Sequence, residues 1–306
     1  MPKQIRQTVL PLLAALIWGT AFVMQKGNTA GALTFNAARS LIAFLFLLPV
    51  ILLFTKGDFR HILSEQTREN TRALWLGGFL CGVMLAGATY LQQYGLDHGT
   101  EAGKAGFLTA LYMVLVPVFG LFFRKKVGLF IWAAVAVAAV GLYLLSIRGD
   151  FSFRTSDLII VPCAVLFAVQ ILLIDHFSLK CSCVRLSCIQ FLTCFVLSAV
   201  FAPILETPNP AALTHNIWQV LYLGILSSGI AYTLQMVSLK GTNMTVVSIL
   251  LSMESVFSVI AGALILGERL TGRDYLGCAL MLCAVLLSQI PGKGFGRRAE
   301  ESKIQA

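Results

Sequence analysis

The chain reads as an all-α polytopic membrane protein, with ten transmembrane helices in two inverted five-helix repeats. Three observations lead there. Hydrophobic residues fill 58% of the 306 positions and charged residues only 12%, against about 25% charged in soluble domains, and the mean hydropathy is +0.83. Ten apolar runs are separated by charged, Gly/Pro or Asn/Asp punctuation, and each approaches the roughly 20 residues that carry a helix across hydrocarbon. Short polar patterns in the first half recur in the second at one offset.

In chain order the spans are 8–25, 34–54, 73–95, 102–123, 127–147, 157–174, 185–205, 217–239, 244–266 and 271–290. The first follows Lys3 and Arg6, as a signal peptide would. Its Trp18-Gly19 and Gln25-Lys26 leave no small-residue cleavage site, so it is read as a retained span. The second carries a charge, Arg39. The third is glycine-rich (Gly77, Gly78, Gly82, Gly87), which suits close helix packing or bending. The fourth ends in a basic turn, Arg124-Lys125-Lys126, and the fifth in the polar stretch 148–154 that divides the halves. The eighth and ninth, joined by Lys240-Gly241-Thr242-Asn243, hold a carboxylate at mid-span, Glu254. The domains follow: 8–147, 157–290, and a cytoplasmic tail over 291–306.

Orientation comes from the 23 lysines and arginines. With the N-terminus in the cytoplasm, most fall on that side, in Lys3/Arg6, in the loops around Lys56–Arg72, Arg124–Lys126 and Lys180–Arg185, at Lys240, and in the tail. Both termini are therefore expected in the cytoplasm of an inner-membrane protein. The same distribution explains the net charge of +9 by topology and speaks against nucleic acid as a partner.

The repeat is read from punctuation. Tyr90-x-x-Gln93 recurs 142 residues on as Tyr232-x-x-Gln235, and Gly99-Thr100 as Gly241-Thr242. Phe107-Leu108 falls on Ile249-Leu250 and Gly120 on Gly262. Spans 3–5 thus resemble spans 8–10. Five spans per half force opposite orientations, an arrangement common in secondary transporters with a midplane site.

These residues resemble the drug/metabolite transporter superfamily, EamA-type branch. The first span carries Trp18-Gly19-Thr20-Ala21-Phe22, similar to that family's W-G-x-x-F, and the second carries Arg39 after Phe35-Asn36-Ala37-Ala38. The fourth carries Leu115-Val116-Pro117-Val118-Phe119, and the ninth Glu254-Ser255-Val256-Phe257 before Leu266-Gly267-Glu268-Arg269-Leu270-Thr271. Two positions depart: Arg124-Lys125-Lys126 replaces an acidic turn, and Ser255 stands where the family has Pro. The resemblance implies a ten-helix transporter of small metabolites with a cavity between its halves, working by alternating access and commonly as an exporter.

Candidate site residues are the polar and aromatic groups at membrane depth. Glu254 costs roughly 3 kcal/mol there. It carries a coupling proton, binds a substrate amine, or is satisfied structurally by Ser258 one turn on or by a donor on another helix. Arg39 meets a substrate carboxylate or anchors its helix. Tyr90, Gln93, Tyr232 and Gln235 would line a wet cavity or bond between helices. Trp18, with Phe22 and Gln25 on its face, and Tyr112, at the position equivalent to Glu254, offer aromatic surface. Lys26 and Lys104 snorkel at helix ends. Amino acids, amines or related compounds suit a cavity holding one carboxylate and one cation.

Catalysis is not expected. No G-x-S-x-G, H-E-x-x-H or Walker loop occurs, and the four histidines lie in loops or at helix ends. Cys181 and Cys183 form a lone C-x-C, so neither metal nor cofactor is expected. The partners are a small-molecule substrate and the lipid bilayer, with a proton as the candidate coupling ion and a monomer or homodimer as the assembly. A non-transporting membrane enzyme or scaffold protein is the alternative class. A lipid or nucleotide-sugar transporter is a further option.

Overall fold

In the computed structural model, helices form where the apolar runs lie. The structure describes residues 5–25, 29–54, 67–100, 102–122, 127–146, 155–215, 217–266 and 270–290, and these contain no strand. Lys26, the side chain of Lys104, the 124–126 and 267–269 turns and the 291–306 tail lie outside them.

A π-helical turn, Ile5–Val9, leads into α1 (Leu10–Gln25), followed by α2 (Ala32–Phe54) and α3 (Arg68–Asp97). The fourth span is broken into α4 (Ala102–Ala110) and α5 (Tyr112–Phe122). Then come α6 (Leu129–Ser146), α7 (Thr155–Phe177), α8 (Cys183–Leu205) and the short α9 (Pro210–His215). The eighth span is one stretch of three parts: α10 (Ile217–Tyr222), a π-helical segment Leu223–Ala231, and α11 (Tyr232–Leu239). The ninth is broken into α12 (Met244–Leu251) and α13 (Glu254–Leu266), and α14 (Gly272–Ser288) closes the fold.

Among the described residues, seven stretches are long and apolar enough to cross a membrane: Ala32–Leu53, Arg68–Asp97, Ala105–Phe122, Leu158–Phe177, Cys183–Leu205, Ile217–Leu239 and Met244–Ala261. Three shorter helices, α1, α6 and α14, occupy the other predicted spans. The perimeter keeps large apolar side chains, Leu53, Phe122, Leu129, Trp218 and Leu264, each at least 80% exposed. In water such a surface would drive aggregation; facing lipid it costs nothing.

The packing obeys one exchange rule, in which each span of the first half swaps with the span five later. α6 lies along α14 and α2 along α8, and each pair is its own counterpart. α3 packs on α7 and α8, and its counterpart Ile217–Leu239 packs on α1 and α2. α1 packs on α13, and its counterpart α7 packs on α4 and α5.

Small residues permit these approaches, because lipid provides no hydrophobic drive between helices and close van der Waals contact must supply the attraction. A Cβ on Gly82 of α3 would sit 2.7 Å from the Gln190 carbonyl oxygen and 2.5 Å from Thr193 Cβ. A Cβ on Gly141 of α6 would sit 3.0 Å from the Gly277 oxygen of α14. Helix ends are closed by specific partners. Glu206, just after α8, accepts from the backbone N–H of Leu33 (3.0 Å) and Thr34 (2.7 Å) and from the Thr34 hydroxyl (2.6 Å), capping α2. Gly99 (φ +91°) and Gly241 (φ +66°) end α3 and α11 in the left-handed region that glycine alone enters without strain. Their equivalence in the repeat is thus a shared helix stop.

Gly82→Ala is expected to destabilise the detergent-purified protein by about 1–3 kcal/mol, since the neighbour is backbone and cannot yield. Gly106→Ala, which meets nothing within 4 Å, should stay within about 0.5 kcal/mol of wild type. Unfolding by thermal or denaturant titration of both variants checks this.

Candidate functional site

Two of the predicted spans, the fourth and the ninth, break midway along their length, and they are counterparts. Leu111 separates α4 from α5, and Ser252-Met253 separates α12 from α13. At each break the bonding tightens to three residues: the Val114 N–H donates to the Leu111 oxygen (2.9 Å), and that of Met253 to the Leu250 oxygen (3.2 Å). A broken helix leaves backbone groups without helical partners, and hydrocarbon has no water to meet them. Such breaks are stable only against protein or a wet cavity.

A cavity lies there. Its empty volume is about 530 Å³, mouth included. The first residues of the two second half-helices, Tyr112 and Glu254, both line it, which places the positive ends of two helix dipoles at its wall. Gln25, Gln92 and Thr109 also line it, towards the end of the bundle where α1 and α3 finish.

Trp18 of α1 donates its indole N–H to the Ser227 carbonyl in the π-helical segment (3.1 Å). Its ring centroid lies 4.8 Å from that of Tyr232, which meets Phe191 edge-on at 5.6 Å. One wall is therefore aromatic and rigid. Across the cavity, Tyr112 packs edge-on against Phe167 at 6.4 Å, and its hydroxyl has no hydrogen-bond partner among the described residues. The side-chain oxygen of Gln235 is likewise buried and unpaired.

Among the described residues, two charges line this cavity. Glu254 is 5% exposed, and its carboxylate accepts no hydrogen bond among the described residues, from Ser258 included. Arg39, also 5% exposed, donates Nε–H to the Asn36 side-chain oxygen (3.1 Å). Neither has an ion-pair partner among the described residues. The arrangement can therefore meet one anionic and one cationic group of a guest, with unpaired polar atoms between.

Of the residues singled out from sequence, the structure brings Trp18, Arg39, Tyr112, Tyr232, Gln235 and Glu254 together here, and does not bring Tyr90 or Gln93. Tyr90 lines a separate apolar groove with Leu33, Val83, Leu197 and Phe201. Gln93 donates to the Asp97 carboxylate (2.8 Å). Gln92 faces the cavity instead and donates to the Thr109 hydroxyl (3.0 Å). The reason is helical phase. α3 is α-helical throughout, whereas its counterpart contains a π-helical segment, whose wider turns take more residues. Equal sequence offsets therefore stop meaning equal facing, and the position matching Gln235 slips. A repeat offset alone points to the wrong neighbour, and no local pattern singles out Gln92.

The cysteines have backbone partners: Cys181 Sγ donates to the Phe177 oxygen (3.2 Å) and Cys183 Sγ to the Met236 oxygen (3.6 Å). Among the described residues, no group of three His, Cys, Asp or Glu is placed to hold a metal ion.

Comparison with known proteins agrees with this architecture. An uncharacterized transporter of Archaeoglobus fulgidus is 32% identical over 284 residues, covering 90% of this chain and 83% of its own length. The threonine/homoserine exporter RhtA of Salmonella typhimurium is 26% identical over 215 residues, 68% of each chain. A solved crystal structure superposes with a TM-score of 0.76 at 19% identity, covering 96% of this chain and 98% of its own, a likeness of fold alone. The profile of the EamA-like transporter family matches residues 7–147 and 154–289, once in each half. The chain thus belongs to the EamA-like transporter family and is a multi-pass membrane transporter.

Proposed function

We propose that the protein moves small zwitterionic amino acids across the inner membrane by alternating access, in the export direction. The observation that carries this reading is the pair of opposite charges, Arg39 and Glu254, lining one cavity with no ion-pair partner for either among the described residues. Two charges held apart at membrane depth are expensive. A zwitterion repays both at once: its carboxylate meets the guanidinium, and its ammonium meets the carboxylate and the adjacent aromatic faces of Trp18 and Tyr232. A simple amine or a simple acid would leave one charge unmet. The Salmonella relative, a threonine/homoserine exporter, supports the amino-acid class and the direction.

In the proposed cycle the repeats 8–147 and 157–290 rock about the cavity, and the broken helices supply the pivots. Both termini stay in the cytoplasm. Glu254 serves a second purpose: a proton and the substrate ammonium compete for its carboxylate, so binding one releases the other and the exchange is antiport.

The test is uptake of radiolabelled L-threonine by counterflow into liposomes loaded with unlabelled L-threonine. Wild type is expected to exceed empty liposomes, and L-threoninol and 3-hydroxybutyrate, each lacking one charge, should compete at least tenfold less well than L-serine. Glu254→Gln and Arg39→Gln should each lower transport at least tenfold, about 1.4 kcal/mol of lost binding. Equal competition by the singly charged analogues would sink the zwitterion reading. An opposing proton gradient should accelerate wild type and leave Glu254→Gln unchanged.

The unpaired polar atoms give a separate prediction. Tyr112→Phe removes a buried hydroxyl that has no partner among the described residues, so the empty protein should melt at the same temperature or higher. Its affinity for L-threonine should fall about three- to tenfold, at a cost of roughly one hydrogen bond. Thermal melts with and without L-threonine measure both quantities.

A further inference from the structure

Arg39 is held in place from the opposite half of the molecule. On α2, Asn36, Arg39 and Ser40 share one face, and on α8, Cys194 and Ser198 share another. All five are at most 5% exposed. Asn36 Oδ1 accepts from Arg39 Nε (3.1 Å), while Asn36 Nδ2 donates to Ser198 Oγ (2.9 Å) and approaches Cys194 Sγ at 3.5 Å. Cys194 Sγ also accepts from the Ser40 hydroxyl (3.3 Å). The amide has only one workable orientation, because turning it over would press an NH₂ group against a cation.

The consequence falls on the guanidinium. Its Nε–H is already used, so a carboxylate must approach the end formed by the two Nη groups, which have no hydrogen-bond partner among the described residues. That end offers two parallel N–H donors to two carboxylate oxygens. Without the amide, Arg39 could swivel and present its Nε side, and the cavity would lose its definition of where the carboxylate lies.

Resting on the zwitterion reading, we infer that Asn36, supported by Ser198 and Cys194, is a positioning residue that aims the Nη end of Arg39 at the substrate carboxylate. The alternative is that these residues merely glue α2 to α8. Glue would matter equally for every ligand, whereas aiming matters only for ligands with a carboxylate.

The experiment compares binding of L-threonine and of L-threoninol, the same molecule without its carboxylate, to the purified full chain by isothermal titration. Asn36→Leu is expected to weaken L-threonine about ten- to a hundredfold, the range for a hydrogen bond to a charged group, and Ser198→Ala about three- to tenfold, the range for a neutral one. L-threoninol should change less than twofold, and Ser198→Thr, which keeps the hydroxyl, should restore L-threonine binding. In an Arg39→Gln background, adding Ser198→Ala should cost nothing further, because the effect runs through the arginine. Equal weakening of both ligands, or an additive loss in that background, would overturn the inference and leave the transport reading standing. Should wild type fail to bind L-threonine, the amino-acid reading of the substrate falls, and phenylglyoxal modification of Arg39 followed by mass spectrometry decides the positioning. A rate altered at least threefold in Ser198→Ala supports it, and an unchanged rate overturns it.

Discussion

Hydrocarbon does not hydrogen-bond, and the rest of this structure depends on that constraint. Every backbone N–H and C=O at membrane depth needs a partner within the protein, which is why the chain is helical wherever it is apolar. It is also why the two places where helices stop in mid-span, at Leu111 and at Ser252-Met253, are informative. Both lie against the same cavity, and both second half-helices begin there. The polar lining, the charges and the breaks form one solution to a single problem, since each alone would be unsatisfied in lipid.

The scaffold around the cavity is built from economy of side chain. Gly77 lets α3 sit against the Phe177 side chain of α7, Gly78 and Gly82 bring it close to the α8 backbone at Gln190, and Gly19 lets α1 reach the carbonyl of Glu254 itself. The helix that carries the buried carboxylate is therefore pinned through its main chain, while its side chain remains in the cavity. Glu206 does comparable service at the bundle end, tying the start of α2 to the end of α8. Arg39, seven residues into α2, inherits its position from that anchor as well as from Asn36.

Much of this was legible in the sequence, and the division has a physical cause. Apolar runs and their punctuation report the solvent that surrounds each segment, so every predicted span holds a helix. Glu254 and Arg39 stood out because a charge in such a run is anomalous whatever its neighbours. The breaks were not legible. Pro117 sits inside α5 rather than at its start, and the ninth span breaks with no proline at all; a helix opens there because packing and a cavity accept it, which no local pattern records. Tyr90 and Gln93 illustrate a second limit. Their repetition is real, but repetition reports ancestry and phase reports facing, and the π-helical segment Leu223–Ala231 separates the two. The partnership of Asn36 with Ser198 spans 162 residues and belongs wholly to the tertiary fold.

The equivalence of Tyr112 and Glu254 bears on energetics as well as on architecture. In the alternating-access cycle proposed above, identical halves would make the two open forms images of one another and equally populated. Each divergence between counterparts breaks that degeneracy: a phenol facing a carboxylate, a regular helix facing a π-helical one. A difference of about 1.4 kcal/mol suffices to favour one form tenfold. Under the proposed cycle, the resting posture of this protein is written in the sum of small mismatches between its halves, and a substitution that makes one half resemble the other would shift that balance without touching a ligand.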